Sequence, residues 1–187
     1  MACIGKIASN LYAPCGAPLY ADLSAPVSAK LLNAADIASF TVDGTSGSAA
    51  ITRVTGGRGW NITTTNNALV VTVGLKSQDI MPGAYDVAIT FKVFSGAYTL
   101  ASKAEPLGVV GTMERAELVI AVDHGDVIRV YGLGAPLVCT EMSGDSSASA
   151  YITYTYGVED WQVGTTVHYL SRADYEALST PVPTPGA

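Results

Sequence analysis

The segment that decides the fold is Glu117-Leu118-Val119-Ile120-Ala121-Val122, which is apolar at every position after the glutamate. A strand of this kind has no polar face, so it must lie in the centre of a sheet or be covered on both sides. The next four residues, Asp123-His124-Gly125-Asp126, have the polar, glycine-containing composition of a short turn. Residues 127–131 then predict a second strand, and the two strands form a candidate hairpin.

Further strand patterns lie on both sides of this hairpin. Two of them alternate with period two, as in a strand with one buried face, and others are rich in β-branched and aromatic residues. The predicted strands lie within residues 39–42, 49–54, 69–76, 87–94, 136–142 and 150–156.

Helix patterns are short and few. One covers residues 96–105 and is ended or kinked by Pro106. The other covers residues 172–178, with Ser171 as its N-cap and Asp174 three residues later. We therefore predict a mainly β fold, a β-sandwich or partly closed barrel, with one inserted short α-helix and a short carboxyl-terminal helix.

The length and composition favour one domain whose surface carries little charge. The chain has 187 residues, which we divide into an extended amino-terminal arm (1–26), a β-sandwich domain (27–178) and a Pro-rich tail (179–187). Charged residues make up 14% of the chain, against roughly 25% in an average soluble domain. Two interpretations fit: a slightly apolar soluble protein, or a subunit whose surface is largely buried against other subunits.

The charge and the termini exclude several classes of protein. The net charge is −6, and the 10 Lys and Arg residues are scattered, which excludes tight binding of nucleic acid. The first twenty residues lack the apolar run of a signal peptide, and no stretch approaches the ~20 apolar residues of a membrane span. Cys3, Cys15 and Cys139 are predicted to be reduced thiols in a cytosol, with a Cys3–Cys15 pair left open.

Motifs for catalysis, cofactors and metals are absent from the sequence. Gly56-Gly57-Arg58-Gly59 suggests a phosphate loop, but no Lys-Ser/Thr follows it and no helix pattern begins there, so a tight turn is the better interpretation. Asp123, His124 and Asp126 suggest acid–base chemistry or a metal, but a solvated turn tip is the better interpretation. We therefore predict a protein that is not an enzyme, with no catalytic, cofactor-binding or metal-binding residues.

The tyrosines raise the question of exposed aromatic surface. The chain has 10 Tyr, and on the strand of residues 150–156 the side chain of Tyr151 points away from those of Tyr154 and Tyr156. One face of this strand therefore exposes aromatic rings unless both faces are covered. Exposed rings suit a protein interface or sugar binding, and packing in an ordinary sandwich core is the alternative.

Several short motifs also resemble a known family when they are taken in order along residues 1–160. They are Met1-Ala2-Cys3 with Gly5-Lys6-Ile7, Cys15-Gly16-Ala17-Pro18-Leu19, Asn33 with Asp36-Ile37, Gly57-Arg58-Gly59-Trp60, the strand of residues 87–94, Val119-Ile120-Ala121-Val122, Val130-Tyr131-Gly132-Leu133 and residues 147–156. In this order they resemble tail-tube and tail-tube-like structural proteins of tailed bacteriophages with Bacteroidetes-type hosts. Pro106 and the Pro-rich tail depart from that family's pattern, which leaves open a ring, neck or tail-completion subunit.

The resemblance implies a virion structural protein that builds walls from copies of itself. The expected assembly is a sixfold homo-oligomeric ring, able to stack, around a channel through which DNA passes without specific binding. It also implies contacts with other tail or neck proteins, assembly in the host cytoplasm and a final location in the virion tail. We expect inter-subunit contacts at Ile4, Ile7, Leu11, Tyr12, Tyr151 and Tyr154.

The alternative function is a carbohydrate-binding or adhesin-like β-sandwich module. It would stack sugars on exposed tyrosines and on Trp60 or Trp161. The two functions differ in how aromatic residues are placed: a lectin groups them in one shallow groove, whereas an interface spreads them over broad flanks.

Overall fold

A computed structural model of the chain describes residues 26–62, 69–75, 85–94, 113–144, 151–158 and 167–183. Within these ranges the chain forms strands, a short 3-10 helix (Ala34–Asp36) and an α-helix near the carboxyl end, α1 (Arg172–Ala177). The strands are β1 (Ser28–Asn33), β2 (Ile37–Val42), β3 (Ala49–Arg53), β4 (Trp60–Ile62), β5 (Leu69–Leu75), β6 (Tyr85–Phe94), β7 (Leu118–Asp123), β8 (Ile128–Tyr131), β9 (Val138–Gly144), β10 (Tyr151–Gly157) and β11 (His168–Leu170).

The strands form three antiparallel sheets. One sheet has five strands in the order β11-β8-β7-β1-β4, one has four in the order β5-β6-β10-β9, and β2 pairs with β3. The mainly β prediction is confirmed. Of its two architectures, the sandwich describes the fold, because the sheets in the described ranges remain open and no barrel closes.

The main core lies between the five-stranded and four-stranded sheets. Ile120 and Tyr131 of the first sheet join Phe91, Tyr154 and Tyr156 of the second in one buried cluster. The rings of Phe91 and Tyr156 are stacked, with centroids 5.6 Å apart. The alternating apolar residues of β5, β6 and β10 supply one inner face, because side chains at every second position of a strand point the same way.

A second core covers the other face of the five-stranded sheet. Leu32, Val119 and Val130 pack there beneath Tyr175 and Leu178 at the carboxyl end of the chain, and Ala49 of β3 joins them. All six residues of β7 are therefore buried. This confirms that the apolar segment at residues 118–122 is covered on both sides.

The helix near the carboxyl end is also confirmed. It spans Arg172–Ala177, and the Ser171 side chain caps it by accepting a hydrogen bond from the Asp174 N–H at 3.1 Å. The predicted helix at residues 96–105 lies outside the described residues.

Strands β1, β4 and β11 were not among the predicted ones. The pattern of β1, Ser-Ala-Lys-Leu-Leu-Asn, does not alternate because Lys30 stands between apolar neighbours. The structure explains the lysine: its ammonium group lies over α1 and donates hydrogen bonds to the carbonyls of Tyr175 and Glu176, at 2.6 and 3.2 Å.

Candidate assembly surfaces

Strand β5 forms one edge of the four-stranded sheet and carries no charge. Its outer edge pairs with no other strand within the described ranges. Leu69 and Val71 are buried in the core, whereas Val70 is 48% exposed. Proteins usually protect an edge of this kind with lysine, proline, a bulge or a covering segment, because its unpaired backbone is a template for another strand. The sequence of β5, Leu-Val-Val-Thr-Val-Gly-Leu, contains neither lysine nor proline.

Strand β9 forms the opposite edge of the same sheet. Its register with β10 is interrupted at Thr155/Tyr156, so β9 carries a bulge, and Met142 is 42% exposed. Each neighbouring pair in this sheet is antiparallel. Because the sheet has four strands, β5 and β9 run in opposite directions. When two copies lie side by side in the same orientation, β9 of one copy and β5 of the next therefore run antiparallel to each other.

The outer face of the four-stranded sheet, which points away from the core, is rich in hydroxyl groups. Thr90 and Thr155 lie opposite each other on β6 and β10, and their side-chain oxygens are 3.1 Å apart. Lys92 of β6 and Glu141 of β9 are charged residues of opposite sign on this face. This face therefore offers no cluster of positive charge for phosphate groups.

Two cations bind the carbonyl groups at the carboxyl end of α1. Arg53 donates hydrogen bonds to the carbonyls of Ala177, Leu178 and Thr180, at 3.1, 2.7 and 2.8 Å, and to that of Gly57 at 3.1 Å. The pKa of Lys30 lies below its ordinary value. Burial is the main cause of the lowering, the charge of Glu176 opposes it and the charge of Arg53 adds to it. Cations near the last carbonyls of a helix stabilise it, so these two residues attach α1 to the sheets.

The turn after β7 differs from the solvated tip predicted for it. Asp123 and His124 are 6% and 2% exposed, whereas Asp126 is exposed as predicted. Asp123 forms an ion pair with Arg172 and accepts a hydrogen bond from the Gly125 N–H at 2.8 Å. Burial raises the pKa of Asp123, but these hydrogen bonds and the charge of Arg172 outweigh it and hold the pKa below its ordinary value. The ion pair makes this acid a structural group that ties the turn to α1.

The glycine-rich segment at residues 56–59 is a turn, as predicted. Its amides bind the carboxyl-terminal segment: the Gly56 N–H donates to the Val182 carbonyl at 2.9 Å and the Gly59 N–H donates to the Leu178 carbonyl at 2.6 Å. Gly56 has φ +80°, which favours glycine. Because these amides already have partners, the segment does not present them to a phosphate.

The predicted contact residues are mostly outside the described ranges. Ile4, Ile7, Leu11 and Tyr12 precede residue 26, and Tyr151 is described only as the first residue of β10. Tyr154 is 1% exposed and packs beside Phe91 in the main core. Its side chain therefore lies in the interior rather than at the surface position that the prediction required, because β10 turns this face toward the opposite sheet.

Two of the exposed aromatic side chains in the described ranges, those of Trp60 and Tyr169, are separated. Trp60 is 51% exposed on β4, where the guanidinium of Arg58 lies 3.7 Å from the centre of its ring. Tyr169 is 42% exposed on β11, at the other end of the five-strand order. Four strand spacings separate the two edges, or roughly 19 Å. Trp161 lies outside the described residues.

The cysteines and the possible metal ligands are the remaining candidate groups. Cys139 is a free thiol whose pKa is raised by burial, and Cys3 and Cys15 lie outside the described residues. In the part of the chain that the structure describes, no group of three His, Cys, Asp or Glu side chains is placed to hold a metal ion. None of the helices in that part is long and apolar enough to cross a membrane.

Comparison with known proteins adds no relative. No family model, curated protein or solved structure matches the chain. The resemblance to tail-tube proteins therefore stays a prediction from the ordered motifs of the sequence.

Proposed function

We propose that the chain is a structural subunit of the tail tube, or of a tail or neck ring, of a tailed bacteriophage. Copies join side by side into a closed ring, expected to be sixfold, around a channel for DNA. The proposal rests on the uncharged edge strand β5, which pairs with no strand other than β6 among the described residues, together with the ordered sequence motifs.

The directions of these edges support ring closure. A contact between two different edges, β9 of one copy and β5 of the next, is heterologous, and heterologous contacts close into rings when the rotation allows it. Each joint would extend the antiparallel sheet through main-chain hydrogen bonds, as in the addition of a strand to an exposed edge. The result is one continuous sheet around the axis.

The outer face of the four-stranded sheet would then line the channel. Its threonines present hydroxyl groups, and the charge of Lys92 is accompanied on the same face by the opposite charge of Glu141. The whole chain has a net charge of −6. Neither feature attracts phosphate, so DNA would pass along the wall without being retained.

The edge strand gives the test of this proposal. Val70→Lys together with Thr72→Lys places two lysines on the edge strand β5, where charged side chains oppose the addition of another strand. We expect the parent chain to have a native mass near six times 19.3 kDa and the variant to be monomeric. Native mass spectrometry measures both, and negative-stain microscopy should show rings only for the parent chain.

A matched control introduces the same charges one strand further in. Ala88 and Thr90 of β6 pair with Thr72 and Val70 and lie on the same face. Ala88→Lys with Thr90→Lys should leave the rings intact, because β6 is paired on both edges. A parent chain that stays monomeric at high concentration, or an edge variant that still forms rings, contradicts the proposal.

A further inference from the structure

An open apolar groove lies at one end of the five-stranded sheet, beside Ala34 and Val119. It has a volume of about 430 Å³ and runs between β2 and the turn from β8 to β9. Apart from Ser39, its lining side chains are apolar or are glycines: Ala34, Ile37, Ala38, Phe40, Val119, Gly132, Leu133, Gly134 and Pro136.

The wall formed by β2 offers backbone groups as well as side chains. Ala38, Ser39 and Phe40 are consecutive residues of β2, so the groove follows an edge of the strand rather than one of its faces. The opposite edge of β2 is already paired with β3. Phe40 is 39% exposed and its ring faces the turn, since a Cβ on Gly134 would lie 3.5 Å from its Cζ atom. Such a groove suits an extended, uncharged segment that adds a strand to β2.

The chain itself contains a segment of this chemistry. Residues 1–25 carry only Lys6 and Asp22 as charged side chains, and they include Ile4, Ile7 and Leu11. The segment also contains Pro14 and Pro18, a residue type that is poorly tolerated in the interior of a helix.

The place where this segment joins the fold determines which copy it can reach most directly. It enters β1 at Ser28, which pairs with Asp123 at the end of β7. The groove lies at the other end of β1, beside Ala34 and Val119, about 20 Å away for a strand of this length. Residues 1–25 span up to about 90 Å when extended. A segment that leaves one end of a subunit and a groove that opens at the other end are suited to copies stacked in the same orientation.

We propose that residues 1–25 of one copy bind in the groove between β2 and the Gly132–Pro136 turn of the next copy in a stack. This inference rests on the proposed function, because it supplies the contact between successive rings. The contact is heterologous and does not close, so it propagates along the tube axis. The main interactions are apolar burial in the groove and main-chain hydrogen bonds to β2.

Two variants of the full chain test the groove and the amino-terminal segment independently. Ala38→Arg fills the groove with a charged side chain at an exposed position, and Ile4→Asp with Ile7→Asp makes the segment unsuitable for an apolar groove. The control is Ala50→Arg, the same change at an exposed position of β3 that does not line the groove. The parent chain and the control should form stacked rings, and each of the other two variants should stop at single rings.

Mixing then tests whether the contact is made between copies. Preformed rings of the Ala38→Arg variant have free segments and blocked grooves, and rings of the Ile4→Asp/Ile7→Asp variant have the reverse. The mixture should give particles of twice the single-ring mass and nothing longer, measured by native mass spectrometry. Amide hydrogen exchange at residues 38–40 should slow in these particles.

The outcomes distinguish this inference from the proposed function. Rings that stack in the Ala38→Arg variant, rings of the parent chain that never stack, or a mixture that stays at single-ring mass would each overturn the inference and leave the ring proposal standing. Protection of residues 38–40 that is the same in monomers and in stacks would also overturn it, since the segment would then bind its own chain. A parent chain that forms no rings would overturn both proposals.

Discussion

At the scale of single residues, two glycines with the same backbone conformation differ in their surroundings. Gly125 and Gly132 both have φ +89°. A Cβ on Gly132 would lie 2.9 Å from the Leu118 carbonyl oxygen, whereas a Cβ on Gly125 would meet nothing within 4 Å. At position 132 both the positive φ and the lack of room for a Cβ favour glycine, whereas at position 125 only the positive φ does.

This difference predicts two different losses of stability. Gly125→Ala should lower the free energy of unfolding by about 1–2 kcal/mol, because an L residue is strained at positive φ. Gly132→Ala should cost about 1–3 kcal/mol more, because the backbone must also move away from the new methyl group. Urea unfolding of the two variants measures both values, and equal losses would contradict the close approach at Gly132.

A second residue-scale prediction concerns Asp123 and acid. Its pKa in the folded chain is lowered, so the unfolded chain binds more protons near and below the ordinary value of about 3.9. The stabilisation by ionised Asp123 is complete above that value and is lost as the pH falls through the lower folded-state pKa. The difference in unfolding free energy between the parent chain and Asp123→Asn should therefore be constant from neutral pH to about pH 5 and should shrink below pH 4.

Arg172→Met provides the companion variant. It removes the guanidinium that pairs with Asp123, so it should remove part of the same acid-dependent stabilisation. Denaturant unfolding across this pH range gives the comparison. A difference between the parent chain and Asp123→Asn that does not change with pH would show that the ion pair does not lower the pKa of Asp123.

At the scale of elements, helix α1 is too short to be stable without its attachments. It has six residues, and isolated helices of this length are unstable in water. Its side chains Tyr175 and Leu178 bury apolar surface on the five-stranded sheet, and Arg53 and Lys30 bind its last carbonyls. Packing and these cations together hold it in place.

Removing one of these cations should loosen the helix. Arg53→Met retains most of the side-chain length but leaves the carbonyls of Ala177, Leu178 and Thr180 without their donor. We expect a loss of about 2–3 kcal/mol in the free energy of unfolding. Hydrogen exchange at the Leu178 amide, which bonds to the Asp174 carbonyl, should accelerate.

Arg58→Met is the control for this prediction. Arg58 lies within the glycine-rich turn of residues 56–59, and its guanidinium contacts the ring of Trp60. Its replacement should cost no more than about 1 kcal/mol, because it removes a partly exposed cation–π contact. A loss as large as that of Arg53→Met would mean that the carbonyl hydrogen bonds are not the source of the effect.

At the scale of the whole molecule, the proposed channel predicts weak contact with DNA. The parent assembly should not retain a short linear duplex at roughly physiological ionic strength, about 0.15 M. Ala88→Lys with Thr90→Lys, which should still form rings, adds cations to the face that would line the channel. This variant should bind the duplex, and the affinity should fall steeply as salt is raised. Fluorescence anisotropy measures both, and equal binding by the parent assembly would contradict a wall that does not retain DNA.

Some of the fold could be read from local patterns, because those patterns are repeated along one strand. The alternation in β5 and β6 identified their buried faces, and the continuous apolar run of β7 indicated cover on both sides. Ser171 and Asp174 marked the start of α1, since a cap acts within one turn of helix.

The candidate surfaces depended on contacts between distant residues. Tyr154 carries the same ring whether it lies in a core or at an interface, and only the packing of β10 against the opposite sheet placed it inside. Lys30 interrupted the pattern of β1 because its partners, the carbonyls at the end of α1, are 145 residues away in the sequence.

The sequence by itself determined the class of fold, the strongest strands and the low charge of the surface, because these follow from the order and type of neighbouring residues. Only the tertiary structure decided which strands form the open edges β5 and β9, which acids are buried and where the apolar groove lies. Those features arise where segments far apart in the chain meet, and no local pattern carries the position of a partner that lies a hundred residues away.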